Sequence, residues 1–181
     1  MIYAFEVAAK AFKEVSDADD LKRVGRAIEI LASKTGIYGM IGGQTVDVEL
    51  AGGPIPKNKL DFIYRLKTGA LIEASMLIGA VLGGAAEEDC KIVESLAGKV
   101  GLAFQIQDDI LDVTSTEEEL GKPIHSDEKN HKTTYVTLMG IEKASQQVKK
   151  LSDEAVTLLE GLNKKNEFLF TLVNELVGRR K

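Results

Sequence analysis

An all-α fold is what this 181-residue chain predicts, and three observations carry that prediction. Apolar residues recur at helical spacing over long stretches, and strand-type alternation extends over no useful length. The three prolines, Pro54, Pro56 and Pro123, fall in turn-like clusters and leave the periodic stretches uninterrupted. The length suits a single domain with a real core. No repeat, low-complexity tract or linker divides it.

The elements follow in order. A helix predicted over 2–14 runs into the turn Ser16-Asp17-Ala18-Asp19-Asp20. Ser16 or Asp17 can cap the next helix there, and the acids suit its positive end. That helix is predicted over 18–50 and stops at Gly52-Gly53-Pro54-Ile55-Pro56. Helices over 57–67 and 69–84 flank Lys67-Thr68-Gly69, where the glycine permits a kink and a close approach. Small residues of the second (Gly79, Ala80, Gly83, Gly84) suit close helix packing. In a helix over 87–113, Ile92, Val93, Leu96, Val100, Ala103 and Phe104 form an apolar stripe. Ile141, Ala144, Val148, Leu151, Ala155, Leu158, Leu159 and Leu162 form another within a helix over 132–161, and a last helix covers 164–179.

Composition narrows the function. Apolar residues are 44% of the chain and charged residues 28%, an ordinary globular balance. Acids outnumber bases 28 to 23, a formal net charge of −5. A general nucleic-acid binder needs a basic surface and is excluded. The lone Cys90 forms no internal disulfide, and no Cys/His zinc cluster exists, which points to a reducing, cytoplasmic setting. The longest uncharged run, Ala74 to Ala86, is shorter than the ~18 residues of a membrane span.

The informative stretch is Gly101-Leu-Ala-Phe-Gln105-Ile-Gln-Asp108-Asp109-Ile-Leu-Asp112. Asp108 and Asp112 lie one turn apart on one helix face, with Asp109 about 100° around it. Three carboxylates within a turn repel each other, and they sit near the helix end where negative charge is least welcome. Such oxygen donors suit Mg2+, which takes one or two carboxylates and completes its shell with water and substrate phosphates. Spacing alone leaves a solvated acidic face open as the alternative. Lys67, Thr68, Lys122 and Lys132 supply cationic and hydroxyl groups for a metal-bridged phosphate held over an apolar cavity. A di-iron bundle would need two Glu-x-x-His motifs, and Glu128-Lys-Asn-His131 stands alone.

The ordered blocks Gly42-Gly43-Gln44-Thr-Val-Asp47, Lys67-Thr-Gly-Ala-Leu71, Gly101 to Asp112, Gly121-Lys122 and Lys132-Thr-Thr-Tyr135 resemble the trans-polyprenyl diphosphate synthases. They look most like the bacterial farnesyl/geranylgeranyl type, and the likeness runs from about Tyr3 to the C-terminus. The resemblance implies an isoprenoid-synthase-type helical bundle around a deep apolar cavity, with two aspartate-rich motifs binding Mg2+ across its mouth. By matching motif, Asp108, Asp109 and Asp112 form the metal cluster, with Asp109 supporting the other two and Asp127 as their outer partner. Lys67 and Lys132 would hold an allylic diphosphate and Lys122 would touch its phosphates. Thr68 and Gln105 would face a developing carbocation, and Gln44 would lie near the reacting substrates. The implied reaction joins isopentenyl diphosphate to dimethylallyl or geranyl diphosphate.

The family's first aspartate motif and its isopentenyl-binding basic residues have no counterpart here, and Met1-Ile-Tyr3-Ala-Phe5 resembles the middle of a family helix. The resemblance therefore implies residues 1–181 as the C-terminal portion of one synthase domain, truncated on its N-terminal side and inactive or nearly so alone. It also implies a homodimer, with helices matching 2–14 and 18–50 at the interface. A class I terpene cyclase and a non-catalytic subunit of a heteromeric prenyl synthase are the alternatives. The Gly42-Gly43-Gln44 and Lys67-Thr68-Gly69 blocks favour chain elongation over cyclisation, and the intact aspartates argue against a degraded subunit.

Overall fold

The computed structural model describes residues 2–121, 123–130 and 132–178, and among these every regular element is helical. Helix α1 (Ile2–Ala9) continues as a 3-10 turn, Lys10–Lys13. Asp17 caps α2 (Ala18–Thr35) by accepting from the amides of Asp19 at 2.8 Å and Asp20 at 3.3 Å. These donors hold the Asp17 carboxyl below its ordinary range.

The predicted single helix over 18–50 is instead two, α2 and α3 (Met40–Glu49), because 36–39 fold into a turn. A Cβ at Gly39 would stand 1.9 Å from the Lys34 carbonyl oxygen, and one at Gly42 would stand 2.1 Å from that of Ile37. Only glycine allows so tight a return.

After the Pro54-Ile55-Pro56 bend, α4 (Lys57–Tyr64) passes into a π-helical turn, Arg65–Gly69, and then into α5 (Ala70–Leu82). The predicted kink at Lys67-Thr68-Gly69 is this turn. Helix α5 ends on Gly84, whose φ of 71° suits a left-handed cap. Of the small residues expected to pack closely, Ala80 lies against a buried cluster and Gly84 against the Arg23 side chain, but Gly79 does not serve this purpose: a Cβ there would meet nothing within 4 Å.

Helix α6 (Glu87–Thr114) forms the axis, with α5 along one side and α10 (Ile141–Glu160) along another. Leu96, Ala97, Val100, Ala103 and Ile106 of α6 are buried against this surround, as are Ala144, Val148, Leu151, Ala155 and Leu159 of α10. Between α6 and α10 lie three short helices: α7 (Glu117–Leu120), α8 (Ser126–Lys129) and α9 (Tyr135–Met139). The predicted helix over 132–161 is thus divided. Thr134 and Thr137 form a reciprocal cap that starts α9, and Gly140, at φ 81°, separates it from α10. Helix α11 (Glu167–Gly178) begins once the Asn166 side chain accepts the Leu169 amide at 2.9 Å.

No helix among the described residues is long and apolar enough to cross a membrane. An apolar groove lined by Met40, Ile41, Gln44, Thr45 and Val48 runs open to solvent along α3.

Candidate active site

The π turn is where the site begins. An i→i+5 turn inserts a residue into the helix and leaves backbone groups out of the regular ladder. Two glycines let neighbouring helices close on it. A Cβ at Gly43 of α3 would meet the Lys67 amide nitrogen at 2.4 Å, and one at Gly101 of α6 would meet the Gly69 Cα at 2.8 Å. Sequence motifs far apart in the chain thus converge on Lys67 and Thr68. The Lys67 ammonium donates to Asp47 Oδ2 at 2.6 Å, and Asp47 lies on α3 one turn beyond Gln44.

The aspartates of α6 point in different directions. Asp109 is 5% exposed and turned inward. The Tyr64 hydroxyl lies 2.8 Å from each of its oxygens, and the Tyr135 amide donates to its Oδ2 at 2.8 Å. Burial pushes Asp109 up to about 7, against the pull of these donors. Asp112 is equally buried. Its side chain accepts the amides of Ser126 at 3.3 Å and Asp127 at 3.2 Å, and its backbone carbonyl accepts that of His125 at 2.9 Å. Asp108 and Gln105 are half-buried on the same helix.

Lys132 is reached through this network. Its amide donates to the Asp127 carbonyl at 2.8 Å and its ammonium pairs with the Asp127 carboxylate at 3.2 Å. Burial opposes the charge on Lys132, but Asp127, Asp109 and Asp47 together hold its ammonium above the usual range. Asp47, bound to Lys67, therefore also acts on Lys132, which links the two predicted lysines to each other and to Asp109. Lys122 and His131 lie outside the described residues.

Three participants escaped the sequence reading. Asp47 sits in a quoted motif and could have been found from its i,i+3 spacing to Gln44. Tyr64 and Tyr135, whose rings stack with centroids 5.6 Å apart, carry no signal of a shared carboxylate in one dimension.

Among the described residues, no three His, Cys, Asp or Glu side chains are arranged as a metal cage. An ion that takes one or two carboxylates and fills its shell with water and phosphate oxygens needs no such cage. Asp112, expected to share such an ion with Asp108, is buried with both oxygens on backbone amides, so the half-buried Asp108 is the carboxylate of the pair that fits it.

A family model described as polyprenyl synthetase matches residues 2–170. The farnesyl diphosphate synthase of Escherichia coli is 37% identical over 98% of this chain and 60% of its own length. A geranylgeranyl diphosphate synthase of Cyanophora paradoxa is 39% identical over 99% of the chain and 59% of its own. Among solved structures, a geranyltransferase from Helicobacter pylori, complexed with magnesium and isoprenyl diphosphate, superposes with a TM-score of 0.79. It is 34% identical over 97% of this chain and 56% of that one. The chain spans about half the length of the curated relatives it matches.

Proposed function

This chain belongs to the polyprenyl synthetase family, and we propose that it carries the allylic-diphosphate site of a prenyltransferase that extends trans-polyprenyl chains with isopentenyl diphosphate. The observation that supports this most is that Lys67, paired with Asp47 at 2.6 Å, and Lys132, paired with Asp127 at 3.2 Å, are linked electrostatically through Asp47, with Asp109 of α6 also acting on Lys132.

In the proposed reaction the allylic C–O bond breaks and pyrophosphate departs. The isopentenyl double bond then forms the new C–C bond to the allylic cation, and a proton leaves to the pyrophosphate. Lys67 and Lys132 hold the charge that grows on the leaving oxygens, where fixed ammonium groups act most strongly in the transition state. Mg2+, held by Asp108 with water and phosphate oxygens, would supply Lewis-acid stabilisation to the same leaving group. The Thr68 hydroxyl, the Gln105 amide oxygen and a carbonyl of the π turn supply oxygen dipoles to the carbon end. Asp127 is the outer partner that orients Lys132. In this reading the substrates are an allylic diphosphate and isopentenyl diphosphate, the working form is a homodimer in the cytoplasm, and residues 1–181 alone turn over little.

Calorimetric titration with inorganic pyrophosphate, with and without Mg2+, tests the site directly. Binding should require Mg2+, and Lys67→Met or Lys132→Met should weaken it by about 10- to 100-fold, the loss of one charge-assisted hydrogen bond. Unchanged affinity in both variants would refute the assignment.

A further inference from the structure

We propose that Asp109 is a strut rather than a metal ligand: its carboxylate, oriented by the Tyr64 hydroxyl, fastens the Tyr135 amide to α6 and so sets where Lys132 stands. This rests on the diphosphate reading above only for the purpose the strut serves; the strut itself stands on geometry.

Both Asp109 oxygens face protein donors, with the Tyr64 hydroxyl 2.8 Å from each and the Tyr135 amide 2.8 Å from Oδ2. The carboxylate and the Tyr64 ring are both buried, so an ion carrying its water shell has no room to approach. Burial raises the Tyr64 hydroxyl far above its usual range, which keeps it a donor.

The residue being fastened is held at further points. Its ring stacks on Tyr64 and lies under the Lys57 ammonium at 5.0 Å, and its hydroxyl donates to Asp61, itself paired with Lys57 at 2.8 Å. Three residues upstream, Lys132 is held through its amide by Asp127, and Thr133 accepts the Ile55 amide at 3.1 Å. The segment 132–135 is thereby pinned at both ends: Asp112 acts through Asp127 at one, and Asp109 acts directly at the other. The three aspartates of one motif have separate duties, and Asp109 is a positioning residue.

Asparagine separates strut from ligand. In Asp109→Asn the amide oxygen can still accept the Tyr135 N–H, while Nδ2 donates to the Tyr64 hydroxyl oxygen. A metal ligand would lose its charge by the same change. Hydrogen exchange at the Tyr135 amide and Mg2+-dependent binding of inorganic pyrophosphate are measured for the wild type, Asp109→Asn and Asp109→Ala. The expected result is protection and affinity within threefold of wild type for asparagine. For alanine, Tyr135 exchange should be at least tenfold faster and pyrophosphate affinity at least tenfold weaker. A tenfold rise in the Mg2+ needed by Asp109→Asn, with Tyr135 still protected, would overturn the proposal. So would unchanged Tyr135 exchange in Asp109→Ala. If the alanine variant does not fold, the asparagine variant decides alone. A wild type that binds no pyrophosphate while Tyr135 exchange follows the expected order would sink the diphosphate reading and leave the strut standing.

Discussion

Gly43→Ala adds one methyl group at the tightest contact on the π turn. Its Cβ would stand 2.4 Å from the Lys67 amide nitrogen, 2.8 Å from Leu66 Cβ and 2.9 Å from the Leu66 carbonyl carbon. Ordinary contact lies near ~3.5 Å, so α3 and the turn must part by about 1 Å. Two of the three obstructing atoms are backbone, which no rotamer change can move. Overpacking of this kind costs ~1–3 kcal/mol, and the gain in helix propensity from glycine to alanine returns up to ~1 kcal/mol. Taking the middle of the overpacking range, ~2 kcal/mol, less the return, the net destabilisation is ~1–2 kcal/mol, or roughly 2–8 °C in Tm for a domain of this size. The paired control is Gly79→Ala in α5, where a Cβ meets nothing within 4 Å and only the propensity gain remains. Thermal melts by circular dichroism should show the first variant falling and the second rising by a few degrees. Pyrophosphate binding should weaken in the first alone, because the displaced residue is Lys67. If Gly43→Ala melted at or above wild type, the account of how the turn is seated would be wrong.

Two other outcomes are expected. Burial favours the neutral form of Asp109, with its pKa moved from 3.8 to about 7. This contribution to stability is full below about pH 4 and is lost as pH rises through about 7. The stability of the metal-free wild type relative to Asp109→Asn should therefore fall by on the order of 2–4 kcal/mol across that window, read from urea midpoints; a flat difference would refute it. Lys34 of α2 pairs with Glu73 at 2.6 Å and Glu94 at 2.8 Å, with the Lys34 and Glu73 side chains only 21% and 13% exposed. Lys34→Met should cost ~2 kcal/mol by stranding Glu73, whereas Lys22→Met, which breaks the exposed pair with Asp19, should cost under ~0.5 kcal/mol. Equal urea midpoints for the two variants would contradict this.

Periodicity made α6 and α10 legible because each buries one continuous face, and the stripe from Ala144 to Leu159 is the buried one. The break at 36–39 was not legible. Gly36, Gly39 and Gly42 read as tolerable helix glycines until the carbonyls of Lys34 and Ile37 are seen to close on two of them. Gly140 hid the division of α9 from α10 in the same way, since its φ of 81° is invisible in a sequence. Gly79 of α5 misled in the opposite direction: a row of small residues suggests packing, yet this one faces open space. At the site, spacing brought Asp108, Asp109 and Asp112 onto one helix but could not say which turned inward. Their directions depend on Tyr64 and on the 126–135 segment, partners contributed by other parts of the chain.

The contact between Lys67 and Asp47 carries a consequence for selectivity. A resident carboxylate already occupies the cation that an incoming anion seeks, and it also pulls on Lys132. A monovalent anion such as acetate or chloride merely trades one negative neighbour for another and wins nothing. If this site takes a diphosphate as proposed, a guest with several charges would displace the occupant at a net advantage, and the chain's own acid would set a threshold of charge for entry.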